Sequence, residues 1–184
     1  FVLESGSVGG AVSLNTGNDT VCASGNTGSL LLSGHTGTIL RWETSTGGPF
    51  TDFGTASNPV TFNNLTTTTD FRAVVKNGSC DSVFSTTFTI TVDSASVGGT
   101  VSSDQTVCAG TNGGTLTLSG QLGNVVDWEI STNGGVSYTP APGSPTTTTS
   151  YTYSNLSTTT LFRAIVKNGL CPTIQSTPAT ITVV

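Results

Sequence analysis

Charged side chains make up only 8% of this chain of 184 residues, against roughly a quarter in ordinary globular proteins. Five Lys and Arg against ten Asp and Glu give a net charge of −5, which excludes the basic surface that nucleic-acid binding needs. No stretch approaches the roughly 18 apolar residues of a membrane span, so we expect no membrane insertion of this segment. Because no signal peptide is visible and the chain opens at Phe1, we expect an internal piece of a longer protein.

The first half of the sequence predicts short strands separated by glycine and asparagine turns. No segment has helical periodicity, so the expected fold class is all-β. Asn77-Gly78 lies between two strand-like runs and predicts a tight hairpin. The predicted strands are 9–14, 29–33, 38–45, a short extra strand at 50–53, 59–65, 69–77 and 83–92.

The second half of the sequence repeats the first. An SVGG motif, an early cysteine, a tryptophan and a closing ITV motif all return 86 to 91 positions later. The best-matched segments, 64–80 and 155–171, are identical at 13 of 17 positions. The framework persists while loop lengths change, which is typical of surface loops on a packed scaffold. We therefore predict two domains, 1–94 (with 1–6 as the tail of a preceding linker) and 95–184.

Alternation along the predicted strands indicates which side chains form the core. In TILRWET we expect Leu40 to point inward with Trp42, and in the second copy Val126 to point inward with Trp128. A tryptophan on the central strand of a sandwich is a common core residue, although an exposed sugar-stacking tryptophan is the alternative. The predicted structural core centres on four aromatic residues: Trp42, Phe71, Trp128 and Phe162.

The same alternation predicts that charged residues pair on the outer face. Glu43 and Glu129 are expected to face outward, opposite Arg72 and Arg163 on a neighbouring strand. Exposed pairs of this kind contribute roughly 0–1 kcal/mol each to stability.

Each copy has one early cysteine and one late cysteine. Four cysteines in a lysine-poor, threonine-rich chain favour an oxidising, extracellular setting, with free buried thiols as the alternative. A zinc site is not expected, because CxxC spacing is missing and the only histidine, His35, lies in a glycine turn where we expect it to be exposed. A disulfide within each copy would close a long loop and contribute roughly 4 kcal/mol. The predicted disulfides are Cys22–Cys80 and Cys108–Cys171.

The acidic residues predict neither catalysis nor a bound metal. Catalysis needs a base, nucleophile or metal beside the reacting group, and no paired acids recur in both copies, so we expect no enzyme and no cofactor. Glu4, Asp93 and Asp104 lie at or near the repeat junctions. Calcium takes six to eight oxygen ligands, and three scattered acids predict solvated surface charge instead.

Two motifs carry a resemblance to known families. NLTTTTDFRAVVKNG resembles the penultimate strand of fibronectin III and related immunoglobulin-like domains, with Phe71 and Phe162 in place of the corner tyrosine. The whole unit (CxGxxxGxLxLSG, NLTTTT, FRAVVKNGxC and ATITV) resembles the tandem immunoglobulin-like repeats of giant cell-surface proteins in Bacteroidota. These include SprB-like gliding-motility adhesins exported by the type 9 secretion system.

The resemblance implies two immunoglobulin-like or fibronectin III-like β-sandwiches arranged end to end. They would form part of an extracellular stalk or adhesive filament on the cell surface, with neighbouring repeats of the same chain as partners. Proteins of that phylum are O-glycosylated at Asp-Ser/Thr-apolar motifs, which makes Thr20, Ser82 and Ser94 candidate glycosylation sites. The alternative is a binding module for a surface polysaccharide or another surface protein, using the variable loops at 49–60 and 136–150.

Overall fold

The computed structural model describes residues 4–102 and 104–184. The chain divides into two units, unit 1 (Phe1–Ser94) and unit 2 (Ala95–Val184), which are described separately. All regular elements in the described residues are β-strands, so the all-β prediction is confirmed.

Unit 1 is a sandwich of two sheets. Its strands are β1 (Ala11–Thr16), β2 (Thr20–Cys22), β3 (Thr27–Ser33), β4 (Thr38–Ser45), β5 (Thr51–Asp52), β6 (Val60–Asn63), β7 (Thr69–Lys76), β8 (Val83–Phe84) and β9 (Phe88–Asp93). One sheet has the order β1-β3-β6, and the other has the order β2-β9-β7-β4-β5, with β8 also pairing with β7. All neighbours are antiparallel except β2 and β9, which are parallel.

Unit 2 has the same topology. Its strands are β10 (Thr100–Val101), β11 (Gln105–Val107), β12 (Gly113–Ser119), β13 (Asn124–Ser131), β14 (Thr139–Pro140), β15 (Ser150–Ser154), β16 (Thr160–Lys167), β17 (Ile174–Gln175) and β18 (Ala179–Val183). Its sheets have the orders β10-β12-β15 and β11-β18-β16-β13-β14, and β17 pairs with β16.

The core of each unit lies between its two sheets and is built around a tryptophan. Trp42 on β4 and Trp128 on β13 are fully buried, as is Phe71, and Phe162 is nearly so. Each indole also has a partner for its polar N–H, because Trp42 Nε1 donates to the Ser57 carbonyl oxygen at 2.8 Å. Trp128 makes the equivalent bond to Thr148 at 2.9 Å. The tryptophans are therefore core residues in both units.

A β-bulge in β4 changes which residues face the core. The register of β4 against β7 shifts between Ile39 and Arg41, so Leu40 is an extra residue in the strand. Such an extra residue interrupts the alternation of side chains. Ile39 is buried, whereas Leu40 is 46% exposed. The prediction that Leu40 points inward with Trp42 is therefore wrong.

Unit 2 has the same bulge at the same place. The register of β13 shifts between Val125 and Asp127. Val125 is buried, and Val126, which was expected to point inward, is only half-buried. The bulge is thus part of the repeated framework.

The predicted strand 83–92 is in fact two short strands, interrupted at Ser85. The Ser85 N–H donates to the Ala73 carbonyl oxygen at 2.9 Å, and the Ser85 hydroxyl accepts from the Ala73 N–H at 2.8 Å. The Ser85 side chain therefore accepts the hydrogen bond that a backbone carbonyl oxygen would accept in a regular strand pair. Ser176 and Ala164 form the same pair of bonds in unit 2, both at 2.9 Å.

Candidate functional site

An ion pair joins the two central strands of unit 1. Glu43 on β4 lies directly opposite Arg72 on β7, and the carboxylate is 2.8 Å from the guanidinium. Arg41 binds the other carboxylate oxygen at 2.6 Å. The pairing with Arg72 was expected, but the prediction that Glu43 faces outward is wrong, because the residue is only 6% exposed. Arg41 and Arg72 therefore bind the two oxygens of the Glu43 carboxylate.

Two aromatic rings enclose the guanidinium of Arg72. It lies 3.9 Å from the ring centroid of Phe50 and 3.8 Å from that of Phe84. Cation–π contacts of this kind are worth about 0.5–1 kcal/mol at exposed sites. Phe50 belongs to the variable loop at 49–60, so the contact fixes this loop against the sheet. Phe84 remains 55% exposed.

Unit 2 keeps the ion pair and half of the aromatic enclosure. Arg163 binds Glu129 at 2.7 Å and lies 3.6 Å from the ring centroid of Tyr138 in the loop at 136–150. The residue in the place of Phe84 is Gln175, so the second face of the guanidinium has no ring from β17. The Glu129 side chain is 25% exposed, against 7% for Glu43 in unit 1.

The ion pair of unit 1 favours the charged form of the Glu43 carboxylate. Burial alone raises the pKa of Glu43, but the hydrogen bonds from Arg72 and Arg41 and their positive charges outweigh burial. The pKa of Glu43 is therefore held below its ordinary value of 4.5. A general acid needs a raised pKa, and this carboxylate has the opposite shift. The arrangement therefore suits a structural role.

Acidification should weaken unit 1 through Glu43. Its pKa is lower in the folded chain, so its stabilising effect is complete above about pH 4.5 and is lost as the pH falls through the lowered folded-state value. We expect the free energy of unfolding of Glu43→Gln to depend less steeply on pH across this range than that of the parent chain. Urea unfolding at several pH values measures both slopes. Identical slopes would contradict the assignment.

Unit 2 has a cavity of about 170 Å³ that is partly open to solvent. The Ala141 N–H donates to the Trp128 carbonyl oxygen as the Phe53 N–H does to Trp42, so Ala141 takes the place of Phe53. In unit 1 the Phe53 ring packs edge-on against Phe71, with centroids 5.6 Å apart. Alanine has no ring to make this contact, and in unit 2 the ring of Tyr151 packs against Phe162, with centroids 5.6 Å apart. The cavity lining includes Ile130, Pro142, Tyr151, Tyr153, Leu156 and Phe162.

The cysteines do not pair within each copy. Cys22 and Cys171 are disulfide-bonded, whereas Cys80 and Cys108 are free thiols. The predicted pairs Cys22–Cys80 and Cys108–Cys171 are therefore wrong.

Geometry explains why the predicted pairs cannot form. Cys22 lies opposite Asp93, beyond the Thr69 end of β7, and Cys80 follows the turn beyond the Lys76 end. The eight residues of β7 span roughly 26 Å at about 3.3 Å per residue. A disulfide needs Cα atoms roughly 4.4–6.8 Å apart.

One asparagine in each unit holds the early cysteine segment, and the sequence analysis did not single it out. The Asn26 side chain donates to the carbonyl oxygens of Cys22 and Leu65, both at 2.7 Å, and accepts from the Leu65 N–H at 2.9 Å. Asn112 makes the same bonds to Cys108 and Leu156. An asparagine four positions after the early cysteine in both copies is the signal that predicts this role.

The candidate glycosylation sites and the histidine lie at different depths. Ser82 and Ser94 are exposed, whereas Thr20 is half-buried in β2. His35 is half-buried, not exposed as expected, and its Nδ1 is buried without a hydrogen-bond partner.

Within residues 4–102 and 104–184, no three His, Cys, Asp or Glu side chains form a cluster that could hold a metal. The same residues contain no helix that could cross a membrane.

Removal of calcium should leave the stability unchanged. Glu4 accepts a hydrogen bond from the Ser79 N–H at 3.1 Å, and Asp104 accepts one from the Thr180 N–H at 2.7 Å. These contacts fix each carboxylate on its own unit. We expect the same melting temperature with calcium and with EDTA. A fall of many degrees in EDTA would show that the junction acids bind calcium.

Comparison with known proteins identifies the repeat. A family model described as "Domain of unknown function (DUF8696)" matches residues 8–94 and again residues 97–184. No curated protein matches the sequence.

Solved structures with a similar fold are multidomain chains. A crystal structure of titin domains gives a TM-score of 0.52 at 13% identity, covering 95% of this chain and 65% of the titin chain. The three N-terminal domains of the Highly Immunogenic Outer Capsid protein (Hoc) of bacteriophage RB49 give a TM-score of 0.54 at 16% identity, covering 95% of this chain and 70% of the Hoc chain. A marsupial T cell receptor gives a TM-score of 0.52 at 15% identity, covering 94% of this chain and 71% of the receptor chain. At these identities the likeness shows the fold alone. This chain belongs to the DUF8696 family and consists of two consecutive copies of its domain, each an immunoglobulin-like β-sandwich.

Proposed function

We propose that this chain is a non-enzymatic extracellular segment of a large bacterial surface protein, in which its repeats form part of a stalk or adhesive filament. The observation that carries the proposal is that structural devices recur in both units. The buried tryptophan, the bulge before it, the split strand and the asparagine beside the early cysteine are all duplicated. Duplicated structure with changing loops is what a chain of spacer domains requires.

Two further observations support an extracellular setting. Disulfide bonds persist in oxidising compartments, and two of the four cysteines are disulfide-bonded. The resemblance to repeats of Bacteroidota surface proteins supports a role in attachment or gliding motility. Exposed Ser82 and Ser94 are accessible to O-glycosylation in that setting.

The second candidate function is ligand binding by the variable loops. Phe84 keeps 55% of its surface exposed beside Arg72 and Phe50, and aromatic side chains contribute much of the binding energy at interfaces. A surface polysaccharide or another surface protein would be the ligand. The loss of the second ring in unit 2 would confine this activity to unit 1.

A glycan array tests the spacer proposal against the binding alternative. The whole chain, Phe84→Ala and the control Leu122→Ala are compared, since Leu122 is also exposed at 44% but lies outside the cluster. A spacer gives no glycan-specific signal for any of the three. Selective binding that Phe84→Ala abolishes and Leu122→Ala retains would overturn the spacer proposal in favour of a carbohydrate-binding module.

A further inference from the structure

The cavity of unit 2 lies beside a strand at the edge of its sheet. Its lining includes Thr152 and Ser154 of β15 together with three aromatic residues, Tyr151, Tyr153 and Phe162. In the order β10-β12-β15, β15 is the last strand, and in the described part of unit 2 no strand pairs with its other side. A cavity and an open strand edge therefore meet at the same place.

The hydrogen bonds of β15 show which of its backbone groups face the open edge. The Leu118 N–H on β12 donates to the Thr149 carbonyl oxygen at 2.7 Å, just before β15 begins. In an antiparallel ladder, hydrogen-bonded and non-hydrogen-bonded pairs alternate. Thr152 and Ser154 therefore lie in non-hydrogen-bonded pairs with β12. Their N–H and C=O groups point towards the open edge.

This edge has few of the features that usually prevent a further strand from pairing. Native proteins protect edge strands with lysine, proline, bulges or a covering segment. The sequence of β15, SYTYS, has no charge and no proline, and its pairing with β12 has no register shift. Thr152 and Ser154 are exposed. The edge is therefore suited to accept an extended peptide.

The cavity fits one uncharged aromatic ring. Its volume is about 170 Å³, and an apolar protein cavity of about 150 Å³ binds benzene. The described residues that line it carry no charge. Both tyrosine hydroxyls already have partners, because Tyr151 donates to the Pro142 carbonyl oxygen at 3.0 Å and Tyr153 donates to Gln105 Oε1 at 2.9 Å. A charged group would find no counter-charge there.

Unit 1 shows that a phenylalanine ring packs well on this part of the core. Phe53 packs edge-on against Phe71, whose position on β7 corresponds to that of Phe162 on β16. Ala141 takes the place of Phe53 in unit 2. Unit 1 thus supplies from its own chain a ring that unit 2 lacks.

We propose that unit 2 binds an extended, uncharged segment of another protein, which pairs with β15 as an added strand and places a phenylalanine ring in the cavity. In strand addition, main-chain hydrogen bonds provide affinity and a side-chain pocket provides selectivity. Thr152 and Ser154 supply the main-chain groups, and the cavity supplies the pocket. This site goes beyond the spacer role, because it attaches a partner protein to a repeat.

Nuclear magnetic resonance of the whole isotopically labelled chain tests the proposal. The probe is the capped pentapeptide Ser-Thr-Phe-Thr-Ser, which is uncharged and as long as β15. We expect saturable shifts and slowed hydrogen exchange of the Thr152 and Ser154 amides. The same peptide with alanine in place of phenylalanine should bind at least about tenfold more weakly, because no ring is buried. Unchanged amides at the solubility limit of the peptide, or equal affinity of the two peptides, would overturn the proposal.

Two matched proline variants test the strand pairing. Thr152→Pro removes an N–H that points to the open edge, and proline is tolerated at such edge positions. We expect this variant to lose peptide binding. Thr61→Pro is the control, since Thr61 has the same place on β6 of unit 1, and it should bind the peptide as the parent chain does. Peptide binding retained by Thr152→Pro would contradict strand addition.

Modified probes give the same test without a change in the chain. An added strand with its phenylalanine facing the cavity turns the N–H groups of the two flanking threonines towards β15. N-methylation of both threonines should therefore abolish binding. N-acetylphenylalanine amide carries the ring without a strand and should bind more weakly than the pentapeptide. Equal affinity of either probe and the pentapeptide would mean that the cavity binds a free aromatic ligand, and strand addition would be wrong.

Discussion

Trp42→Ala should destabilise unit 1 by about 3–5 kcal/mol, the usual cost of removing a fully buried large aromatic side chain. The residue is fully buried, and its loss leaves a cavity between the sheets and an unpaired carbonyl at Ser57. Because small domains are stable by only about 5–15 kcal/mol, much of the stability of unit 1 should be lost. Urea unfolding followed by circular dichroism measures the change.

Leu40→Ala is the matched control for this prediction. It lies two residues away on the same strand, but the bulge leaves Leu40 46% exposed. Surface substitutions usually change stability by less than about 0.5 kcal/mol. A cost of several kcal/mol for Leu40→Ala would mean that the strand alternates without a bulge and that Leu40 belongs to the core.

Gly9→Ala should destabilise unit 1 by about 2–3 kcal/mol, in the range of overpacked sites. A Cβ at Gly9 would stand 1.9 Å from the carbonyl oxygen of Phe84, which is backbone and cannot move aside cheaply. The next residue, Gly10, has φ of +75°, where side chains are disfavoured. The two requirements explain the GG of the SVGG motif, and Gly98 has the same close approach in unit 2.

Gly6→Ala is the control for Gly9→Ala. A Cβ at Gly6 has no atom within 4 Å, so this substitution should leave stability nearly unchanged. Thermal unfolding of the two variants beside the parent chain gives the comparison. Equal melting temperatures for Gly9→Ala and the parent chain would show that the segment before β1 does not approach β8 closely.

Long repeated segments made the fold predictable from the sequence. Two copies with strong alternation in FRAVVK indicated the strands and the sandwich. The tight hairpin predicted at Asn77-Gly78 is wrong, because Val75 pairs with Val83 and the connection between β7 and β8 is longer. The bulge at Leu40 was not predictable, because the alternation in TILRWET predicts one uninterrupted strand. The extra residue can be located only when the pairing of β4 with β7 is known. The short strand β2 (Thr20–Cys22) was missed because three residues carry no alternation.

The candidate site was predictable only in part. The opposition of Glu43 and Arg72 followed from alternation, but the burial of Glu43 did not, because alternation does not show that Arg41 and Arg72 both bind this carboxylate. The cysteine pairing failed because one early and one late cysteine at matching places in each copy suggested two closed loops. Spacing along the chain does not show that β7 separates the cysteines of one unit by its full length.

Immunogold electron microscopy with antibodies against this chain tests the proposed function most directly. The cells are those of the organism that encodes the protein, intact and not permeabilised. A stalk or adhesive repeat predicts gold particles on the outer surface, removed when intact cells are treated with protease. Gold particles that appear only after permeabilisation would contradict an extracellular role for the repeats.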